Sequence, residues 1–86
     1  TIFTKMFLFV KIKQLVTISP NIQSGVPVFF NTRVPVKNLF DYIRGGDSIK
    51  DFLEDFPSVT QQQAQDILKL AEDAVTLNYY IDEVVA

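Results

Sequence analysis

Three aspartates recur at every fourth position, Asp47, Asp51 and Asp55, with Glu54 beside the last. On a helix that spacing sets the carboxylates on one face, where they could hold a magnesium ion. The same residues have a structural explanation. Asp47 and Asp51 stand where a helix would begin, and the helix dipole favours negative charge there. The capping reading is the stronger one, and no metal or other cofactor is expected. The chain has no cysteine and no histidine, which removes thiol nucleophiles and imidazole bases. Ser19, Ser24, Ser48 and Ser58 have no evident base partner. The residues therefore point to a binding protein and not to an enzyme.

Nucleic-acid recognition is the second chemistry to consider. Thr60, Gln61, Gln62, Gln63 and Gln65 would stand at the start of a helix. Glutamine pairs with adenine, and threonine reaches a phosphate or a thymine methyl. Affinity for DNA comes mainly from cations near phosphates. This helix offers only Lys69, against Asp66, Glu72 and Asp73, so further charge would have to come from Lys5, Lys11, Lys13, Arg33 or Lys37. The candidate nucleic-acid contacts are Arg33, Lys37, Thr60, Gln61, Gln62, Gln65 and Lys69. The competing reading is that the glutamines cap and solubilise. Arg33 has two roles open to it, a phosphate ligand or an ion pair with an acid of the second helix that locks a corner. The structural role is preferred.

A third chemistry is protein contact. Apolar residues make up 48% of the 86, with eight phenylalanines, more than a monomer this small readily hides. Phe7, Phe9, Phe29, Phe30, Tyr79 and Tyr80 exceed what three short helices need. Phe7, Phe9, Tyr79, Tyr80 and Val84 are the candidate partner contacts, and a homodimer joined through an N-terminal strand is expected. Charge is divided along the chain. Residues 1–40 carry five bases and no acid, and residues 41–86 carry ten acids and three bases. Such a division fits contact with nucleic acid or a self-complementary surface, or merely acidic helices and lysine-bearing strands.

These residues need elements to hold them. Residues 5–18 alternate as a strand would, with Phe7, Phe9, Lys11 and Lys13 on one side and Met6, Leu8, Val10 and Ile12 on the other. Ser19 to Gly25 is rich in turn residues, and Val26 to Phe30 reads as a second, shorter strand. Asn31 tolerates positive φ and can turn the chain. Pro35 suits a first helical position, Val36, Leu39, Phe40 and Ile43 form a stripe, and Gly45-Gly46 ends the helix. Ser48 and Asp51 form a capping box for a second helix with the stripe Ile49, Phe52, Leu53 and Phe56, stopped by Pro57. Thr60 and Gln63 form another, with Val59 placed to staple onto Ala64, before a helix over 61–76 lined by Ala64, Ile67, Leu68, Ala71 and Val75. The tail from Leu77 either extends that helix or forms an arm.

The fold class expected is α+β: N-terminal β-strands followed by a three-helix, helix-turn-helix unit. Residues 1–86 form one domain, with a β lead-in over 1–30, a trihelical unit over 34–76 and an arm over 77–86. Met6 to Val10 is broken by Lys11 and Lys13, too short for a membrane span, and no small-residue cleavage pattern follows. A cytoplasmic location is expected.

Residues Ile18 to Glu72 resemble the domain-of-unknown-function family 433. The resemblance rests on Gly25-Val26-Pro27-Val28, Thr32-Arg33-Val34-Pro35-Val36, Gly46, Ser48-Ile49, Phe52-Leu53, Asp55-Phe56-Pro57 and Thr60. The family usually has glycine where this chain has Asn31, the next-best residue for that backbone conformation. The first fifteen or so residues lie outside the resemblance. It implies a homeodomain-like helix-turn-helix behind a β element, and an antitoxin role beside a PIN-like nuclease toxin, with operator DNA as a further partner. The alternative is an interaction domain that dimerises without binding DNA.

Overall fold

The computed structural model describes the backbone of residues 2–85 and the side chains of residues 6 and 8–76. Helix α1 spans Ile2–Leu15 and is followed by strand β1, Val16–Thr17. A 3-10 turn at Gln23–Gly25 leads to strand β2, Val28–Phe29. Three helices complete the chain: α2 over Val36–Arg44, α3 over Ile49–Asp55 and α4 over Gln61–Val85. Among the described residues the class is α+β, with one small sheet and four α-helices.

The N-terminal strand expected over residues 5–18 is a helix. The apparent alternation was carried by Lys11 and Lys13 alone, because Met6, Phe7, Leu8, Phe9 and Val10 are apolar at both parities. A run that is apolar throughout carries no period, and length then decides between strand and helix. Met, Leu, Lys and Gln are good helix formers and tip the balance. Only the β-branched pair Val16-Thr17 remains extended. It pairs antiparallel with β2 in the register Val16 to Phe29 and Thr17 to Val28. Pairs this short do not stand alone in water, so this sheet depends on the helices behind it.

The described core is built from Phe29, Leu39, Phe52, Val59, Ala64 and Ile67. Strand β2, helices α2, α3 and α4, and the turn before α4 each supply at least one of these residues. Phe52 is the hub. Its ring lies 5.9 Å from that of Phe29, 5.5 Å from Tyr42 and 5.0 Å from Phe56. Phe29, expected on an aromatic surface, is fully buried. The stripes of the last three helices face this core as expected, with two exceptions. Ile43 and Val75 are exposed.

Glycine does its expected work at one position. Gly46 has φ +91 just after α2, and nothing crowds it. The preceding Gly45 is an ordinary right-handed residue whose N–H donates to the Asp41 carbonyl at 3.0 Å. Of the two conformations open to the tail, the helix is the one observed, since α4 continues to Val85. Replacing Phe52 with alanine is expected to destabilise the chain by about 3–5 kcal/mol, close to the whole stability of a small domain. Ile43→Ala should stay within about 0.5 kcal/mol. Urea unfolding followed by circular dichroism checks both.

Candidate functional site

The corner between β2 and α2 positions Arg33. Asn31 has φ 62, the left-handed conformation expected of it. Thr32 then fastens the corner. Its hydroxyl donates to the Phe29 carbonyl at 2.8 Å and accepts the Val34 N–H at 3.1 Å. The Phe29 N–H donates to the Val34 carbonyl at 3.0 Å, closing the loop. Pro35 sits one residue earlier than expected, as the N-cap of α2 with ψ 134. That extended ψ lets it bridge Val28 in the sheet as well as open the helix. Arg33 does not lock the joint. It is exposed and has no ion-pair partner among the described residues. Short polar Thr32 reaches the backbone that a long guanidinium would overshoot.

Both capping boxes form as their spacing requires. The Ser48 hydroxyl accepts the Asp51 N–H at 3.1 Å, and the Asp51 carboxylate accepts the Ser48 N–H at 3.1 Å. Those bonds, the backbone one first, hold the Asp51 carboxyl below the usual carboxylate range. Asp51 is thus occupied as a cap. Among the described residues no group of three acids is placed to hold a metal ion. At the C-terminal end of α3, the Tyr42 hydroxyl donates to Asp55 at 2.5 Å, which raises the tyrosine's pKa above its ordinary value.

Gln63 does more than its box demands. Its amide oxygen accepts the Thr60 N–H at 2.9 Å, and its own N–H donates to the Thr60 hydroxyl at 3.0 Å. The amide nitrogen then donates to the Phe30 carbonyl at 2.9 Å, 33 residues away in sequence. One side chain therefore caps α4 and ties it to the β corner. Sequence reasoning assigned the cap and missed the tie. The unused amide N–H of a capping glutamine was the signal that could have raised the question.

The other candidate residues are dispersed. Gln61 and Gln65 line a groove of about 540 Å³ between α3 and α4, with Ile49, Lys50, Leu53 and Glu54. Arg33 faces a separate hollow with Thr17, Ile22 and Phe30. Lys37 borders a third, against Val26 and Pro27. Lys69 lines the cleft between α1 and α4, beside Lys11 and Asp66. Several are already engaged on their own helices: Gln62 donates to Asp66 at 2.7 Å, and Lys37 pairs with Asp41 at 2.7 Å. Lys69 sits 3.1 Å from Asp73 and 3.9 Å from Glu72, and its pKa is raised, chiefly by the bond to Asp73. Among the described residues, the candidate cations Arg33, Lys37 and Lys69 line three different hollows. Phe9 is exposed on α1, while the side chains of Phe7, Tyr79, Tyr80 and Val84 lie outside the described residues.

Residues 16–71, from β1 through the first three turns of α4, match the model of a protein family of unknown function, DUF433. The chain belongs to the DUF433 family. A solved DUF433 member from Anabaena variabilis shares the fold, with a TM-score of 0.57 and 23% identity over 94% of this chain and 78% of that one. The chain is also 37% identical over 51 residues to the uncharacterized protein y4eO of Sinorhizobium fredii. That match covers 59% of this chain and 23% of the relative, so the chain spans under a quarter of that protein's length. Helix α1 and the distal part of α4 fall outside the segment that defines DUF433.

Within the DUF433 segment, the Gln63 tie has a measurable weight. Gln63→Ala is expected to cost about 1–2 kcal/mol, because the Thr60 N–H loses its cap and the Phe30 carbonyl its donor. Gln63→Glu keeps the cap and loses the donor to Phe30, and should fall between the two. Thermal unfolding of the three proteins tests the order.

Proposed function

We propose that this DUF433 chain is a non-enzymatic binding protein of the antitoxin kind, which occupies a PIN-like toxin and associates with its own copy. The observation that carries this reading is apolar surface held open on a small chain. Met6, Phe9, Val10 and Ile12 are exposed on α1, and Val75 on α4. Contiguous exposed apolar side chains mark partner contacts. An inhibitor that works by stoichiometric occupation needs such a surface and no catalytic centre. The resemblance of Gly25 to Thr60 to a family encoded beside PIN-like toxins supplies the partner's class.

The test starts from the neighbouring reading frames, where a PIN-like toxin gene is expected, and continues with co-expression of that toxin and this chain. Restored growth and co-purification as a complex are expected. Continued toxicity with both proteins soluble contradicts the reading.

Operator binding is a second reading, favoured by one observation. Gln61, Gln62 and Gln65 are exposed on the first turns of α4, which follows α3 after a five-residue turn, as a recognition helix would. With Lys37 and Lys69 paired to acids, Arg33 is the one candidate base without an ion pair among the described residues, so the salt dependence should be shallow. Binding to upstream DNA that is lost in Gln61→Ala/Gln65→Ala supports operator recognition. Binding unchanged in that variant, or none at low salt, leaves an interaction domain that dimerises without DNA.

A further inference from the structure

Helix α1 stands outside the core. Phe29, Leu39, Phe52, Val59, Ala64 and Ile67 all follow it in the chain, and the DUF433 segment begins at residue 16, just past its end. None of the described side chains of α1 is buried. Leu8 and Leu15 are half-buried and the others are exposed, and of these residues Leu15 alone packs against the core. A helix of 14 residues is marginal in water by itself, so α1 keeps its form by leaning on α4.

One end of α1 is pinned. The Phe30 N–H donates to the Leu15 carbonyl at 3.0 Å, and Val16 pairs with Phe29 directly after it. Above that anchor, α1 meets α4 across a cleft of mixed charge. Lys11 and Leu15 line it from α1, and Asp66, Lys69, Leu70 and Asp73 from α4. Asp66, Leu70 and Asp73 are spaced i, i+4 and i+7 on one face of α4, and all three are half-buried. Helix α1 brings bases and no acid to that face. Half-exposed charge contacts hold weakly and are screened by salt. An element with so little buried apolar surface opens at a lower free energy than the core does.

We propose that α1 is a strap. It swings off α4 as a unit about the Leu15 anchor, and Lys11 against Asp66 and Asp73 is its latch, while the unit around Phe52 stays folded. Opening uncovers the face of Asp66, Leu70 and Asp73, which is acidic with an apolar centre, so that face is presented only in the open state. Ionic strength sets how often it is presented. The strap is distinct from the toxin contact, which lies on the outer residues Met6, Phe9 and Val10, and either holds or fails without the other.

The experiment is native-state amide exchange of the full chain at low salt and at about 1 M sodium chloride. The amides of Phe9 to Gln14 are compared with the Ala64 amide, which reports on the core. The α1 amides are expected to share one protection factor, at least about a hundredfold below that of Ala64. High salt should lower it about threefold and Lys11→Glu about tenfold, with Ala64 unchanged in both cases. Lys13 lies over the Phe9 ring on the outer side of α1, so Lys13→Glu makes the same charge change away from the cleft and should act by less than about twofold. Helix α1 amides that open together with Ala64, or that show no protection at all, overturn the strap. Protection that falls steadily from Gln14 to Phe9 is fraying and overturns opening as a unit. Equal effects of Lys11→Glu and Lys13→Glu, or none from either, overturn the latch.

Discussion

The fold depends on one ring. Phe52, on a helix of seven residues, meets Phe29 from the sheet, Tyr42 from α2 and Phe56 from its own C-cap. Fully burying a phenylalanine stabilises by about 1.5–3 kcal/mol, and aromatic pairs add about 0.5–1.5 kcal/mol each. Those magnitudes exceed anything the surface ion pairs supply. A two-residue strand pair and a seven-residue helix are each unstable alone. They exist here because the same side chain serves both.

Packing holds these elements together, and polar groups set their direction. The Ser48–Asp51 and Thr60–Gln63 boxes fix where α3 and α4 begin. Gln63 adds the bond to the Phe30 carbonyl, so the start of α4 is held against the β corner that Thr32 has shaped. The three links are contiguous: corner, tie and cap. They place Gln61 and Gln65 at the mouth of the α3–α4 groove and leave Arg33 free of described ion pairs on the other side of the corner. The candidate residues are thus distributed over the frame and line different hollows.

Much of this was legible in the residues because capping and turn chemistry are local. Ser48-x-x-Asp51, Thr60-x-x-Gln63 and Asn31 each specify a bond or a backbone angle within four residues, and each formed as read. The failures are non-local. Helix α1 was misread because its run has no polar contrast, so which faces are covered depends on α4 and on neighbours that the run itself does not encode. Arg33 was given the lock that Thr32 provides, since chain position at a corner does not say which side chain has the reach. The dispersal of Lys37, Lys69 and Gln61 over different hollows is likewise a property of packing, which spacing along the chain does not reveal.

The central claim is that corner and helices fold as one unit around Phe52. Native-state amide exchange measures it most directly. The Phe29 amide, bonded to Val34, the Phe56 amide, bonded to Phe52, and the Ala64 amide, bonded to Thr60, report on the corner, α3 and α4 in turn. A single opening free energy shared by all three, equal to that of global unfolding, is the predicted result. A Phe29 amide that opens well below the other two would show that the β corner is merely attached to a separately folded helical unit, and would contradict the account.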